Sequence, residues 1–163
     1  MDRIDWKILQ ALERQGRISY ADLAESVGVS KSPCWARVRQ REEDGVIEGY
    51  TVRLDPAALG LHVQSFVRVM IRLGAHRDFE EAVMAHPAVI ECHTTAGSGD
   101  YLLRIYARSV GHFDDLLRYE LSKLPGVDRL DSTICLKTIK QHGPLATWAA
   151  SLANVTDRAK ADM

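Results

Sequence analysis

Through the first fifty residues the apolar positions recur every three or four residues; after about residue 62 they begin to alternate. Ile4, Ile8 and Leu12 stand four apart with Leu9 and Ala11 beside them, the spacing of an amphipathic helix. Gly16 ends it, and Trp6 reads as a packing residue. Ser19 is a good N-cap with Asp22 in the capping-box position, and Leu23, Ala24 and Val27 give a second helix its apolar face. Gly28 can take positive φ and end that helix. Ser30 can cap a third helix, with Pro33 in its first turn, where amides have no intrahelical partner. Cys34 and Val38 continue an inward face, and Gly45 closes it. Helix, glycine turn and helix together make a helix-turn-helix. Residues 46–54 have strand composition and are expected to form a wing and then the way out of the unit. Asp55-Pro56 signals a turn and Leu59-Gly60-Leu61 ends the connection.

In the second half, 63–73 is rich in β-formers, and 78–85 reads as a helix with Phe79, Ala82 and Val83 at apolar positions, stopped by His86-Pro87. A strand over 89–96, a turn over 97–100 and a strand over 101–107 follow. Residues 110–124 then predict a helix with Phe113, Leu116, Leu117, Leu121 and Leu124 on one face. Pro125-Gly126 breaks it, and a last strand is expected over 132–139. The order is βαββαβ, a ferredoxin-like α+β fold with an antiparallel four-stranded sheet. Helices cover one face of such a sheet, and the other is left to pair with a second sheet. The predicted organisation is a winged-helix-like helix-turn-helix domain over 1–50, a strand and linker over 51–62, the ferredoxin-like domain over 63–142, and a C-terminal helix with a mobile tail over 143–163.

Charge gives the third helix a purpose. Lys31, Arg37, Arg39 and Arg41 come first without an acid among them, and Glu42, Glu43 and Asp44 follow at once. This is the reverse of what the helix dipole prefers, and it suits a helix whose N-terminal half meets phosphates. The plainer alternative is a solvated helix of mixed charge. The 163 residues, 46% apolar and 26% charged, describe an ordinary globular protein. No apolar run approaches the ~18–20 residues of a membrane span, and Asp2, Arg3, Asp5 and Lys7 interrupt any signal peptide, so the cytoplasm is the expected compartment. Cys34, Cys92 and Cys135 stand far apart, with neither a disulfide framework nor a metal motif, and are expected to be buried free thiols. The formal charge of −1 does not exclude nucleic acid, because counterion release depends on charge at the contact.

The stretches DRIDWKILQALERQGRISYADLAESVGVSKSPCWARVRQREEDGVI, LDPAALGL, GSGDYLLRIYA, LPGV and STICLKTIK occur in this order. With them the chain resembles the Lrp/AsnC (feast/famine) transcriptional regulators of bacteria and archaea over about residues 2–142. The resemblance implies a homodimer joined through the second domains, assembling further to tetramers or octamers. It also implies double-stranded DNA as partner, with two recognition helices in successive major grooves of a roughly palindromic site. The candidates for DNA contact are Lys31, Ser32, Trp35 and Arg37, with Arg39 next. Arg37 has two available roles, a fork onto guanine or a phosphate clamp, and Trp35 could equally pack at the domain surface. Where these regulators usually carry a Leu, this chain has Arg41, expected to cover apolar surface with its stem while pairing with nearby acids, with an added phosphate contact as the alternative. The second domain resembles the family's effector module, which implies a small effector, usually an amino acid, bound between subunits. The matching motif is Gly97-x-x-Asp100-Tyr101. Its turn amides could hold a carboxylate, Asp100 could meet an ammonium group, and Gly99 leaves room beside the turn. Ser132, Thr133 and Ile134 match positions that face the effector in relatives. Gly97 and Asp100 could also simply build the hairpin, with Tyr101 in the core.

No metal and no cofactor other than the effector is expected. The rival from another class is an enzyme like the sirohaem decarboxylases, which resemble these regulators in architecture. That chemistry calls for converging His and Arg, yet the six histidines form no H-x-x-x-H pair, and His93 alone is placed near the expected interface. No nucleophile triad, P-loop or dinucleotide fingerprint is present. A third reading is a DNA-binding regulator without an effector.

Overall fold

In the computed structural model, residues 1–161 are described, with side chains for 1–153. The chain divides into two compact units, one comprising Met1–Arg53 and the chain from Lys140 onward, the other Leu54–Ile139.

The first unit opens with α1 (Arg3–Arg14). Asp2 accepts from the amides of Ile4 (2.8 Å) and Asp5 (2.9 Å), and the Asp5 carboxylate accepts from the Asp2 amide (2.9 Å). This is a reciprocal capping box. α2 (Tyr20–Val27) is capped by Ser19, whose hydroxyl accepts from the Asp22 amide and donates to its carboxylate. Gly28 ends α2 in the left-handed region at φ 79°, where a Cβ would be strained. α3 (Lys31–Glu43) follows Ser30, and Pro33 sits third in the helix, before an amide is needed. Ile8, Leu23, Cys34 and Val38 are wholly buried where the three helices meet.

The expected strand over 46–54 does not form. Val46 and Ile47 both donate to the Arg41 carbonyl, closing α3, and Val52 is exposed with no neighbouring strand to pair with. The final helix is longer than the sequence suggested: α6 spans Leu145–Ala161. Glu13 of α1 accepts from the Leu145 amide (2.7 Å) and the Ala146 amide (3.1 Å), filling donors that a helix start leaves open. Of the expected mobile tail, residues 162–163 lie outside the described residues.

In the second unit, β1 (Val63–Ile71), β2 (Val89–Thr94), β3 (Tyr101–Ala107) and β4 (Val127–Cys135) form one sheet in the order β2-β3-β1-β4, every neighbour antiparallel. α4 (His76–Ala85) and the helical segment after β3 supply Phe79, Val83, Phe113, Leu116 and Leu121 to a core under Val67, Val69, Leu103 and Ile105. The segment after β3 is not one uniform helix. It runs as α5 (Val110–Asp115), a π-helical turn over Leu116–Glu120 and a 3₁₀ turn over Leu121–Lys123. β4 begins five residues earlier than expected and stops at Cys135. The β1–β4 ladder ends where Gln64 faces Cys135, so the chain beyond pairs with no strand among the described residues. Thr138 reaches back only by its hydroxyl, which donates to the Gln64 side chain at 3.2 Å, and Leu136 and Ile139 are exposed. β2 and β4 are edge strands, which explains why Cys92 is exposed and Cys135 only half-buried rather than buried as expected. Cys34 is buried, and that burial pushes its thiol pKa up.

Candidate nucleic-acid interface and effector site

The buried stripe of α3, Cys34 and Val38, fixes which side faces out. Lys31, Ser32, Trp35 and Arg39 are all exposed. Trp35 and Arg39 lie one turn apart with the guanidinium carbon 5.4 Å from the indole centroid, and Arg39 also pairs with Glu43 at 3.2 Å. Four of the five candidates for DNA contact thus share the outer face. Arg37 does not. Its Nη1 donates to Asp2 at 2.7 Å and to Asp5 at 2.8 Å, tying α3 to the start of α1. The Asp5 amide, and after it the Arg37 guanidinium, hold the Asp2 carboxyl below the usual carboxylate range, while Asp2 and then Asp5 raise the pKa of Arg37. Arg41 pairs with Asp44 at 3.0 Å and approaches Asp5 at 4.0 Å, with 16% of its side chain exposed, a packed, ion-paired position.

In the second unit the antiparallel register sorts the candidates by face. Residues 64, 66, 68 and 70 of β1 and 102, 104 and 106 of β3 point away from the helices, because their neighbours in sequence are the core. Thr133 pairs with Phe66 and shares that uncovered face, whereas Ser132 and Ile134 pair with Val67 and Ser65 on the helix side. At the end of β2 and β3 the uncovered face carries a hollow of about 510 Å³ lined by Phe66, Arg68, Thr95, Ala96, Ser98, Gly99, Leu102 and Thr133.

Of the sequence candidates, Gly99 and Thr133 line this hollow. Gly97, at φ 147°, belongs to the turn that forms its rim. A Cβ on Gly99 would stand 3.4 Å from Cβ of Arg68, so glycine there lets the turn lie close over β1. Thr95 Oγ1 donates to the Gly99 carbonyl at 2.6 Å and fixes the turn. The Asp100 carboxylate is engaged within the fold, accepting from the Ile71 amide at 2.8 Å. Tyr101 points to the helix side, 1% exposed, donating to Glu80 at 2.6 Å and lying 3.0 Å from Nδ1 of His76. Burial first, then the Glu80 carboxylate, push its phenol above the ordinary range. Tyr101, Ser132 and Ile134 are therefore not brought to the hollow. His93 is exposed on the uncovered side, 3.7 Å from Glu91.

Phe66, Arg68, Thr95, Ala96, Ser98 and Leu102 escaped the sequence reading. The signal was parity along the strand 63–71: with Val67 and Val69 inward, Phe66 and Arg68 must face the other way.

A helix-turn-helix with a basic outer face, joined in one chain to an α+β unit with a side-chain-lined hollow, defines a transcription regulator with separate DNA-binding and ligand-binding domains. The comparisons agree. Residues 1–48 match a winged helix-turn-helix DNA-binding family and residues 64–145 the Lrp/AsnC ligand binding domain. The leucine-responsive regulatory protein of Escherichia coli K12 is 37% identical over 148 residues, covering 89% of this chain and 90% of that protein. A Neisseria meningitidis transcriptional regulator solved as its L-Met complex superposes with a TM-score of 0.86 at 35% identity, covering 89% of this chain and 96% of that one. An AsnC family regulator from Agrobacterium tumefaciens gives a TM-score of 0.80 at 33% identity, with 86% and 94% covered. The chain belongs to the Lrp/AsnC family and is an effector-modulated transcription regulator.

Proposed function

We propose that this regulator controls genes of amino-acid metabolism as a homodimer whose uncovered sheet faces pack together, with an amino acid held in the hollow beside the β2–β3 turn. The carrying observation is that hollow: it opens on the sheet face opposite the one that the helices of the same unit cover, and apolar Phe66 and Leu102 line it with hydroxyls and a single cation. The dimer presents two α3 helices to successive major grooves, and Lys31, Ser32, Trp35 and Arg39 contact the duplex. Further assembly of such dimers to tetramers or octamers is part of the same proposal. The protein works in the cytoplasm without catalysis, metal or other cofactor; among the described residues, no helix is long and apolar enough to cross a membrane.

Fluorescence anisotropy on a duplex from the protein's own upstream region, over several salt concentrations and with or without an amino-acid mixture, tests this reading. Salt-steep binding that outcompetes random DNA and shifts with amino acids is expected. Weak binding without sequence preference overturns it, and a porphyrin-like absorption band in the purified protein favours the tetrapyrrole enzyme. Light scattering across protein concentration reads the assembly, and a monomer at all concentrations removes the sheet-to-sheet dimer.

A further inference from the structure

We infer that the Arg68–Asp131 pair reads both charged ends of the effector, so that the site selects a zwitterionic α-amino acid with an uncharged, apolar side chain. The inference rests on the hollow being the effector site. Arg68 and Asp131 face each other across the β1–β4 ladder on the uncovered side, with Nη2 and Oδ2 3.1 Å apart and side chains 46% and 49% exposed. A guanidinium has five N–H donors. The contact with Asp131 is the one ion pair that Arg68 makes among the described residues, which leaves another edge of the fork for the two oxygens of a carboxylate. Asp131, which adjoins the hollow through Arg68 rather than lining it, commits one oxygen and keeps the second for an ammonium group.

The pair is exposed enough that its own attraction is weak, so a ligand can bracket itself against both charges at little cost. An α-amino acid carries carboxylate and ammonium on the same carbon and suits adjacent opposite charges. Its side chain then lies on Phe66 and Leu102, which line the hollow together with Arg68. Asp100 is the less suitable ammonium partner, because Oδ2 already accepts from the Ile71 amide.

Titration calorimetry decides the matter, using the full-length protein. The apolar L-amino acids are screened first, and the tightest is compared with its 2-oxo acid, which lacks the ammonium, and with its decarboxylated amine. Asp131→Asn should weaken the amino acid by about 10–100-fold, as expected for a lost charged hydrogen bond, and leave the 2-oxo acid unchanged. Arg68→Gln should weaken the amino acid similarly and leave the amine unchanged. Arg68→Lys keeps the charge without the fork and should fall between wild type and Gln. Losses independent of which charged end the ligand carries overturn the inference in favour of a cross-strand tie, as does wild-type affinity in both variants. Wild-type protein that binds none of the amino acids overturns the effector reading itself.

Discussion

Each unit of the molecule is marked by an arginine–aspartate pair, and the two pairs do different work. In the helix-turn-helix unit Arg37 meets Asp2 and Asp5 at 2.7 and 2.8 Å, and the Asp5 side chain is 8% exposed. In the sheet unit Arg68 meets Asp131 at 3.1 Å with both side chains about half exposed. The distances are alike and the surroundings are not. Asp5 is also half of the capping box that starts α1, so its charge is held by backbone and side chain together. Asp131 lies on an edge strand, and among the described residues Arg68 is the one side chain that pairs with it. A charge enclosed by its own fold positions helices; a half-exposed pair, one member of which lines a hollow, keeps donors and acceptors open to water.

The sharpest way to break this contrast is Asp5→Ala. It removes one arm of the capping box and leaves Arg41, with 16% of its side chain exposed, short of a carboxylate in a setting where water is scarce. Loss of one member of a buried pair costs up to 3–5 kcal/mol and loss of a cap about 1. Because Arg41 keeps Asp44, a destabilisation of about 2–4 kcal/mol is expected for the first unit. Urea unfolding followed by Trp6 and Trp35 fluorescence measures it. A loss below about 0.5 kcal/mol, the ordinary range of a surface substitution, would show that Asp5 is no more structural than Asp131.

The units also differ in their tyrosines. Tyr50 donates to Glu42 at 2.9 Å, and burial followed by that carboxylate pushes its phenol up to about 12 from 10.0. Tyr101 is raised in the same direction and is far more enclosed. For a phenol whose folded pKa lies above the unfolded one, the stabilisation is complete below pH 10.0 and is lost as pH rises toward the folded pKa. Stability should therefore fall above pH 10. Tyr101→Phe should flatten that fall most and cost about 1 kcal/mol at neutral pH, a typical buried hydroxyl bond. Tyr50→Phe should flatten it less, since Tyr50 is 54% exposed. Unfolding curves at pH 8, 10 and 11 check the order, and equal flattening would mean that burial does not separate the two.

How far the sequence foretold this structure depends on whether the information was local. Ser19 acts through its hydroxyl on an amide three residues on, Gly28 and Pro33 act through their own backbone, and each stands at the helix end that its chemistry predicted. The βαββαβ order followed from periodicity and breakers. Partnership was not local. Residues 46–54 have strand composition but no strand beside them, and residues 136–139 run past the end of β1. The site was partly hidden for the same reason. Gly99 marked the turn, but Arg68 and Asp131 are 63 positions apart and meet only through the β1–β4 register. Arg37 looked like its neighbours Arg39 and Lys31 because its aspartates lie at the other end of the unit's sequence.

That ambiguity makes DNA binding the next test. Lys31 sits at the exposed start of α3, and Lys31→Ala should reduce the slope of log affinity against log salt by about 0.9, one phosphate contact. Arg37→Ala should lower the melting temperature and leave the slope unchanged, because its guanidinium is held by Asp2 and Asp5. A slope reduced equally by both substitutions would return Arg37 to the DNA-contacting face.

The smallest expected effect closes the contrast with Asp5. Arg68→Gln, measured without ligand, should change the stability of the sheet unit by less than about 0.5 kcal/mol, since an exposed ion pair gains little over hydration. The backbone ladder that aligns β1 with β4 does not involve either side chain, and Ser65 adds a bond from its hydroxyl to the Thr133 carbonyl at 2.9 Å. Thermal unfolding of wild type and variant side by side gives the difference. A loss above about 1 kcal/mol, outside the range for exposed pairs, would mean that the pair helps to hold β4 in register. Arg68 would then resemble Arg37, and the division between a charge that builds the fold and a charge left for a ligand would fail at its clearest point.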